Sequence, residues 1–193
     1  IENAMKYAQA QDSATVDYLT GLPNASSLFL HLDREIARCE RTNTGLAVIV
    51  CDLNGFKAIN DRCGHLEGNR VLRVFAQKIK ETCREYDYVA RMGGDEFVLV
   101  IPGLTQEAAL EKAARLNDCA AAAGRLVSAG DSGEELSLGI GAAFFGEDGK
   151  EAEQLLAAAD RRMYLGKGIH HSTGAGAPIP QPGVHAVPSA AVN

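Results

Sequence analysis

The sequence predicts an α+β domain in which helices pack against a central, mainly antiparallel sheet. Patterns typical of strands and of helices alternate along the chain, and a hairpin signal lies in the middle, where Gly93-Gly94 separates two apolar strand patterns. The composition agrees with a globular domain, because 46% of the 193 residues are hydrophobic and 23% are charged. These values exclude wholesale disorder, collagen and coiled-coil rods.

The first half of the chain predicts a helix, a strand and a second helix. Asn24 can cap a helix that runs to about Glu40, because its side chain can accept a hydrogen bond from the first turn. The continuous apolar run Leu46–Cys51 is typical of a buried central strand. Residues 66–84 then show helical spacing of the apolar side chains of Val71, Leu72, Phe75 and Ile79.

The second half begins with a hairpin, Tyr88–Met92 and Glu96–Ile101, with Gly93-Gly94 as its two-residue turn. Small and apolar residues at helical spacing then predict a further helix (Ala109, Ala113, Leu116 and Ala120). Strict alternation over 136–144 predicts a strand with one buried face. Helical spacing predicts a last helix, marked by Leu155, Leu156, Ala159 and Met163.

The two ends differ from this folded part. Residues 1–17 are polar and rich in alanine, and we interpret them as a helical stalk that arrives from a missing upstream domain. Residues 173–193 hold four of the six prolines and no charged side chain, so we expect a disordered tail. The folded domain is therefore placed at 18–172, in a fragment of a longer protein.

Charge and cysteine usage limit the partners and the compartment. A net charge of −6 argues against binding to nucleic acid or to an anionic membrane, and no apolar run approaches the 18 or so residues of a membrane span. The five cysteines are odd in number and lack C-x-x-C spacing. We therefore expect reduced thiols in a cytoplasmic protein, without a disulfide framework or a zinc site.

Acidic residues mark the ends of two predicted strands. Asp52 follows the apolar run directly, and Asp95 and Glu96 lie at the hairpin turn. Carboxylates that adjacent strands bring together repel each other unless a cation joins them, and these hard oxygen ligands suit Mg²⁺ or Mn²⁺. Mg²⁺ usually adds substrate phosphates to one or two carboxylates, which points to nucleotide chemistry. The alternative is a solvated acidic turn.

Four ordered motifs carry a family resemblance: DYLTGLPN (17–24), DLNGFKAINDRCGHLEG (52–68), RMGGDEF (91–97) and AADRRMYLGK (158–167). Together they resemble the GGDEF family of diguanylate cyclases over about residues 15–171. The resemblance implies a palm-like fold related to nucleotidyl cyclases. It also implies the condensation of two GTP molecules into the bacterial second messenger cyclic di-GMP, with release of pyrophosphate.

The resemblance assigns the catalytic and metal-binding roles residue by residue. Asp52, the backbone carbonyl of Leu53 and Asp95 would bind two divalent ions per active site, Mg²⁺ or Mn²⁺. Asp95 would also accept the proton of the attacking 3′-hydroxyl. Glu96 would assist either role.

Substrate contacts follow from the same resemblance. Gly93 and Gly94 would let the backbone approach the nucleotide, and Phe56 and Lys57 match the segment that wraps the phosphates. The remaining matches are a phosphate-contacting lysine, a base-pocket amide and a turn histidine: Lys167, Asn60 and His65. Both lysines are alternatively solvated surface charges, and the histidine alternatively structures its loop.

Two positions depart from the family pattern. Asn69 stands where an aspartate usually accepts both guanine N–H groups, and an amide cannot repeat that contact. Asn69 complements an adenine edge, so relaxed specificity that admits ATP and yields mixed 3′,3′-cyclic GMP–AMP is one hypothesis. A weaker, single bond to guanine is the other. His171 replaces a phosphate-binding arginine, which predicts weaker phosphate affinity.

A regulatory signature precedes the hairpin. Arg84 and Asp87 form an R-x-x-D motif whose distance from Gly93 resembles the family's inhibitory site for cyclic di-GMP. Arg115, on the neighbouring helix, would add a second guanidinium, and Arg38 is a further candidate partner.

Partners follow from the chemistry. A cyclic product with two linkages needs two nucleotides face to face, so the resemblance implies a homodimer, with an upstream sensor domain such as GAF. Two alternatives stay open: a weakly active domain that serves as a cyclic di-GMP receptor, and a purely structural dimerisation domain without nucleotide affinity.

Overall fold

Helices and strands follow one another through the domain, which a computed structural model describes over residues 15–127 and 136–170. In chain order the elements are α1 (Ala25–Thr42), β1 (Leu46–Asn54), α2 (Phe56–Cys63), α3 (His65–Glu81), β2 (Tyr88–Gly93), β3 (Glu96–Pro102), α4 (Gln106–Val127), β4 (Ser137–Phe144) and α5 (Ala152–His170).

The strands form one antiparallel sheet in the order β2-β3-β1-β4. Its central strand β1 pairs with β3 on one side and with β4 on the other, and Leu46 to Cys51 are all buried. Because both edges of β1 are paired and both faces are covered, an uninterrupted apolar run is stable there. The predicted α+β class and the buried central strand are confirmed.

Apolar side chains pack on both faces of the sheet. On one face, α3 and α4 close a core in which the rings of Phe75 and Phe97 meet edge-to-face, with centroids 5.0 Å apart. On the other, α1 and α5 pack on the sheet, with Leu32 and Leu155 fully buried. Truncating Phe75 to alanine would cost about 3–5 kcal/mol of unfolding free energy.

The prediction of one buried face for β4 is wrong, because helices cover both of its faces. Leu138 and Ala142 belong to the core beneath α3 and α4, whereas Ala143 belongs to the core beneath α1 and α5. A Cβ on Gly141 would overlap the backbone of Ala159 in α5. The face toward α5 carries only small residues since that helix lies so close, and small residues give no apolar signal.

Two boundaries and one helix also differ from prediction. The hairpin turn is Gly94-Asp95, because Gly93 already pairs with Glu96 after an irregularity in β2. The helix predicted to reach 84 ends at Glu81, where Thr82 forms the C-cap. The helix α2 was not predicted.

The predicted ends are only partly covered by the structure. Residues 15–17 are not helical, since Val16 forms an isolated bridge to Pro23. The rest of the predicted stalk, residues 1–14, and the predicted tail lie outside the described residues. No helix in the described part of the chain is long and apolar enough to cross a membrane.

Candidate active site

The acidic residues meet at one end of the sheet. Asp52 and Glu96 are direct partners in the β1–β3 pairing, and the Leu53 N–H donates a hydrogen bond to the Asp95 carbonyl oxygen at 3.3 Å. Directly opposite residues of an antiparallel pair have Cα atoms about 4.5–5.5 Å apart. The end of β1 and the turn of the β2–β3 hairpin are therefore adjacent, as the sequence predicted.

The accessibility of these residues suits ion binding from solvent. Asp52 and Asp95 are half-buried and Glu96 is exposed, whereas the Leu53 side chain is buried and only its backbone carbonyl could be a ligand. Residues 15–127 and 136–170 contain no cluster of three or more His, Cys, Asp or Glu side chains placed to hold a metal ion. The oxygen atoms available at this edge are those of carboxylates and backbone carbonyls, which are the hard ligands that Mg²⁺ prefers.

An arginine clamp, formed by Arg91 and Asp17, holds the hairpin turn. The Arg91 guanidinium donates to the Gly94 carbonyl oxygen from Nε (3.0 Å) and Nη2 (2.6 Å), and from Nη1 to both carboxylate oxygens of Asp17 (2.9 and 3.0 Å). Both side chains are largely buried, with 10% and 16% exposed. A planar guanidinium can bridge two acceptors in this way, so it fixes the turn to the loop before α1.

The environment of Asp17 favours its ionised form in this clamp. Burial by itself raises the pKa of Asp17, but hydrogen bonds from Thr20 and Arg91 outweigh it and lower the pKa below its usual value. Neither Asp17 nor Arg91 was predicted to have a role. The available signal was that these oppositely charged residues begin two of the family motifs, 17–24 and 91–97.

A close contact between α2 and α3 involves the predicted base-pocket residue Asn60. The Asn60 side chain oxygen occupies the place that a Cβ on Gly68 would take, and the Phe56 ring lies 3.3 Å from that position. A side chain at position 68 would therefore require the Asn60 side chain to move. Asn60 and Asn69 are both half-buried at this junction.

The predicted phosphate-binding residues lie on two different helices. Phe56 and Lys57 open α2, which follows Gly55 and has no side-chain cap, and Lys57 is exposed. Backbone N–H groups in the first turn of a helix lack intrahelical partners and attract anions. His65 opens α3 and is exposed. Lys167 lies near the end of α5, and its side chain, like the whole of His171, lies outside what the structure describes.

The predicted inhibitory residues surround two clefts at the other end of the hairpin. Arg84, Asp87 and Arg115 line a cavity of about 220 Å³. Arg38 and Tyr86 line a second, of about 320 Å³, and Pro102 and Gly103 border both. We call the first cavity the product cleft. The structure thus brings the four predicted arginine and aspartate residues around one short loop.

Local hydrogen bonds shape the R-x-x-D turn. The Arg84 N–H donates to Asp87 Oδ2 at 2.9 Å, and the Arg84 Nη1 donates to the Tyr86 hydroxyl at 2.8 Å. Within the described residues, the buried Oδ1 of Asp87 has no hydrogen-bond partner. A buried carboxylate oxygen without a donor is costly.

Comparisons with known proteins agree with this geometry. A family model described as "Diguanylate cyclase, GGDEF domain" matches residues 14–172. The chain is 37% identical to the diguanylate cyclase DgcP of Pseudomonas aeruginosa over 158 residues and 38% identical to the diguanylate cyclase DosC of Escherichia coli K12 over 152. These matches cover 81% and 79% of the chain, which spans only 23% and 33% of the two relatives.

A solved structure gives the same fold. The GGDEF domain of DgcB from Caulobacter crescentus, in complex with c-di-GMP, superposes with a TM-score of 0.71 at 26% identity, covering 80% of this chain and 90% of that one. The family match extends over most of the chain and includes the acidic sheet edge, the clamp and the R-x-x-D turn. This chain therefore belongs to the GGDEF-domain family of diguanylate cyclases.

Proposed function

We propose that the chain is the catalytic domain of a metal-dependent diguanylate cyclase, which joins two GTP molecules into cyclic di-GMP and releases two pyrophosphates. The observation that carries the proposal is the adjacency of Asp52 on β1 to the Asp95 turn, linked by the Leu53–Asp95 hydrogen bond. The names of the relatives support it, because they are diguanylate cyclases.

Each linkage forms by one displacement. The 3′-hydroxyl oxygen of one GTP bonds to the α-phosphorus of the other, the bond from that phosphorus to the bridging oxygen breaks, and pyrophosphate leaves. The hydroxyl proton goes to the Asp95 carboxylate, with Glu96 beside it as an assisting base. Bound Mg²⁺ or Mn²⁺, two ions per site, would neutralise the triphosphate and polarise the α-phosphoryl group.

The remaining residues bind and orient the substrate. Asp52, the Leu53 carbonyl and Asp95 would hold the ions, and the backbone of Phe56 and Lys57 would donate to phosphate oxygens. Lys57 and Lys167 would add positive charge. The arginine clamp positions the turn by binding the Gly94 carbonyl, so the Asp95 carboxylate starts close to its working place.

Assembly and regulation follow from the same chemistry. One chain holds one nucleotide, so we infer that two copies meet face to face during catalysis. The relatives are several times longer than the matched segment, which leaves room for a sensor domain that brings two copies together. A cytoplasmic location stays a prediction.

The product cleft supports product inhibition. Two guanidinium groups, on Arg84 and Arg115, face the same cavity as Asp87 and suit the phosphates and guanine edges of cyclic di-GMP. The DgcB domain was solved in complex with c-di-GMP, so a member of the same fold binds this molecule.

Asn69 favours a second candidate activity. Its amide offers one acceptor and one donor, a combination that complements adenine as well as part of guanine, and it follows Gly68, which packs against the Asn60 side chain. A polar mismatch in a closed pocket changes discrimination by about 10- to 100-fold. Use of ATP, with 3′,3′-cyclic GMP–AMP as a second product, is therefore the alternative to strict GTP use.

The test is pyrophosphate release with Mg²⁺ and GTP, ATP or an equal mixture, with the products separated by chromatography. We expect release with GTP, abolished by EDTA, and cyclic di-GMP as the main product. Adenine-containing dinucleotide from the mixture would establish the second activity. If the full-length protein releases no pyrophosphate at any concentration but binds cyclic di-GMP tightly, the domain is a cyclic di-GMP receptor and not a cyclase.

A further inference from the structure

We propose that Lys112, a buried lysine of α4, is a positioning residue that sets the shape of the product cleft. The inference rests on the proposed product inhibition. Lys112 contacts the segment that carries Arg84 and Asp87, and it lies on the same helix as Arg115. It therefore joins the two walls of the cleft.

Lys112 is unusual because a charged group is buried here. Only 8% of the residue is exposed, and among the described residues it is the only charged or polar one classed as buried. Its ammonium group has three protons, and three acceptors lie around it: the Thr82 carbonyl oxygen at 2.7 Å, the Thr82 hydroxyl at 3.2 Å and the Cys83 thiol at 3.4 Å. Because all three protons have acceptors within the protein, Lys112 would affect the ligand by holding the Thr82 backbone in place.

The contacted backbone is the segment that links α3 to the R-x-x-D turn. Thr82 is the C-cap of α3, and its hydroxyl donates to the Ile79 carbonyl at 2.8 Å. Carbonyl groups at a helix C-terminus carry partial negative charge, so an ammonium ion stabilises this end strongly. Two residues later Arg84 begins the turn, which the Asp87 carboxylate closes.

The opposite wall of the cleft is α4 itself. Lys112 and Arg115 are three residues apart on this helix, so their side chains leave from the same face. Lys112 reaches across to Thr82, and Arg115 lines the cavity beside it. One amine thus fixes the distance between Arg115 on one wall and Arg84 and Asp87 on the other.

The test compares Lys112→Met with the parent protein. Methionine keeps the length and the apolar packing but cannot donate a hydrogen bond. We expect cyclic di-GMP, titrated by calorimetry, to bind about tenfold more weakly, since a hydrogen bond from a charged donor is lost. The inhibition constant for cyclic di-GMP should rise by the same factor, while the KM for GTP changes less than twofold.

Three further variants isolate the cause. Lys80→Met, which removes an exposed lysine of α3, is the matched control and should bind cyclic di-GMP like the parent. Lys112→Arg keeps the charge and should recover part of the affinity. Thr82→Val removes one of the three acceptors but leaves the backbone carbonyl, so it should weaken binding by about two- to threefold even where Lys112→Met unfolds.

The outcomes separate this inference from the proposed function. Parental affinity for cyclic di-GMP in both Lys112→Met and Thr82→Val would overturn the positioning role. Equal losses of affinity in Lys112→Met and Lys80→Met would also overturn it. A parent protein that does not bind cyclic di-GMP would instead refute the proposed product inhibition on which the inference rests.

Discussion

The β2–β3 hairpin carries two sites of opposite character, one at each end. At the turn, carboxylates gather at an open edge, and the turn is held from outside by the Arg91–Asp17 clamp. At the other end, two arginines face a preformed cleft whose walls are joined from inside by buried Lys112. The strand between them has six residues and spans about 17 Å.

The difference reflects what each end binds. At the acidic edge we propose that Asp52 and Asp95 hold an ion together with substrate phosphates, as Mg²⁺ usually takes one or two carboxylates plus phosphate oxygens. In the product cleft, the proposed binding groups, Arg84, Asp87 and Arg115, already line one cavity without any bound ion. Catalysis should therefore depend on ions and a second copy of the chain, and product binding on neither.

The largest expected effect is at the acidic edge. Asp95→Asn should lower the rate of pyrophosphate release by about 10³-fold, because the amide neither binds the ions well nor accepts a proton. Cyclic di-GMP binding, measured by calorimetry, should stay at the parental level. Asp160→Asn, the same change at an exposed position of α5, is the control and should keep the parental rate. Loss of both properties in Asp95→Asn would mean that the two ends are not separate sites.

The next largest effect is expected at the product cleft, where a substitution should weaken product binding. Arg84→Ala should weaken cyclic di-GMP binding by about 100-fold, because it removes a guanidinium that the Tyr86 hydroxyl holds in place and that would form charge-assisted hydrogen bonds to the ligand. In the parent, pyrophosphate release should slow as product accumulates. In Arg84→Ala, release should stay linear with time. Arg73→Ala removes an exposed arginine of α3 and serves as the control. Release that slows equally in the parent and Arg84→Ala would place inhibition elsewhere.

A smaller loss should follow when the clamp is broken. Asp17→Asn keeps the shape but weakens the grip on Arg91, so the hairpin turn is held less firmly. We expect kcat/KM for GTP to fall about tenfold, as for a small misplacement of a catalytic group. The exposed Asp33→Asn is the matched control. A parental kcat/KM in Asp17→Asn would show that the clamp does not position the turn.

The clamp and a second ion pair, Asp148 with Arg162, predict how stability depends on pH. Burial alone would raise the pKa of both aspartates. Hydrogen bonds, including those from Arg91 to Asp17 and from Arg162 to Asp148, outweigh burial and lower both pKa values. Their stabilising contribution is therefore complete above the unfolded-state pKa of about 4 and is lost as the pH falls through the lower folded-state values. Urea unfolding between pH 2 and 7 should show a shallower acid loss for Asp17→Asn, and superimposable slopes would contradict the assignment.

The last prediction concerns specificity, with an effect of similar size to that of the clamp. Asn69→Asp restores a carboxylate that can accept both guanine N–H groups, so the preference for GTP over ATP should rise about tenfold. Initial rates with each nucleotide give the ratio. An unchanged ratio would remove Asn69 from the base pocket.

Much of the fold was predictable because its signals are local. The apolar run of β1, the Asn24 cap of α1 and the spacing in α3 each report burial within one element. The helix α2 escaped prediction because it has eight residues between Gly55 and Gly64, both of which take positive φ. The second buried face of β4 escaped because Gly141 lies against the backbone of α5 and so has no side chain to reveal it.

For the candidate site too, residues with a local signal could be predicted and contacts between distant residues could not. Asp52 and Asp95 were predictable because each lies beside a strand end, and antiparallel pairing then brings those ends together. The clamp joins residues 74 positions apart, and Lys112 meets Thr82 from 30 positions away. No periodicity reports such a contact, since both lysine and arginine look like surface residues until the fold shows what covers them.

The most direct test of the acidic edge is a crystal structure of the chain with Mn²⁺ and a GTP analogue that cannot release pyrophosphate, with manganese located by anomalous scattering. The account predicts manganese bound by carboxylate oxygens of both Asp52 and Asp95 and by triphosphate oxygens. Manganese held by the triphosphate with only one of the two aspartates, or with neither, would contradict it.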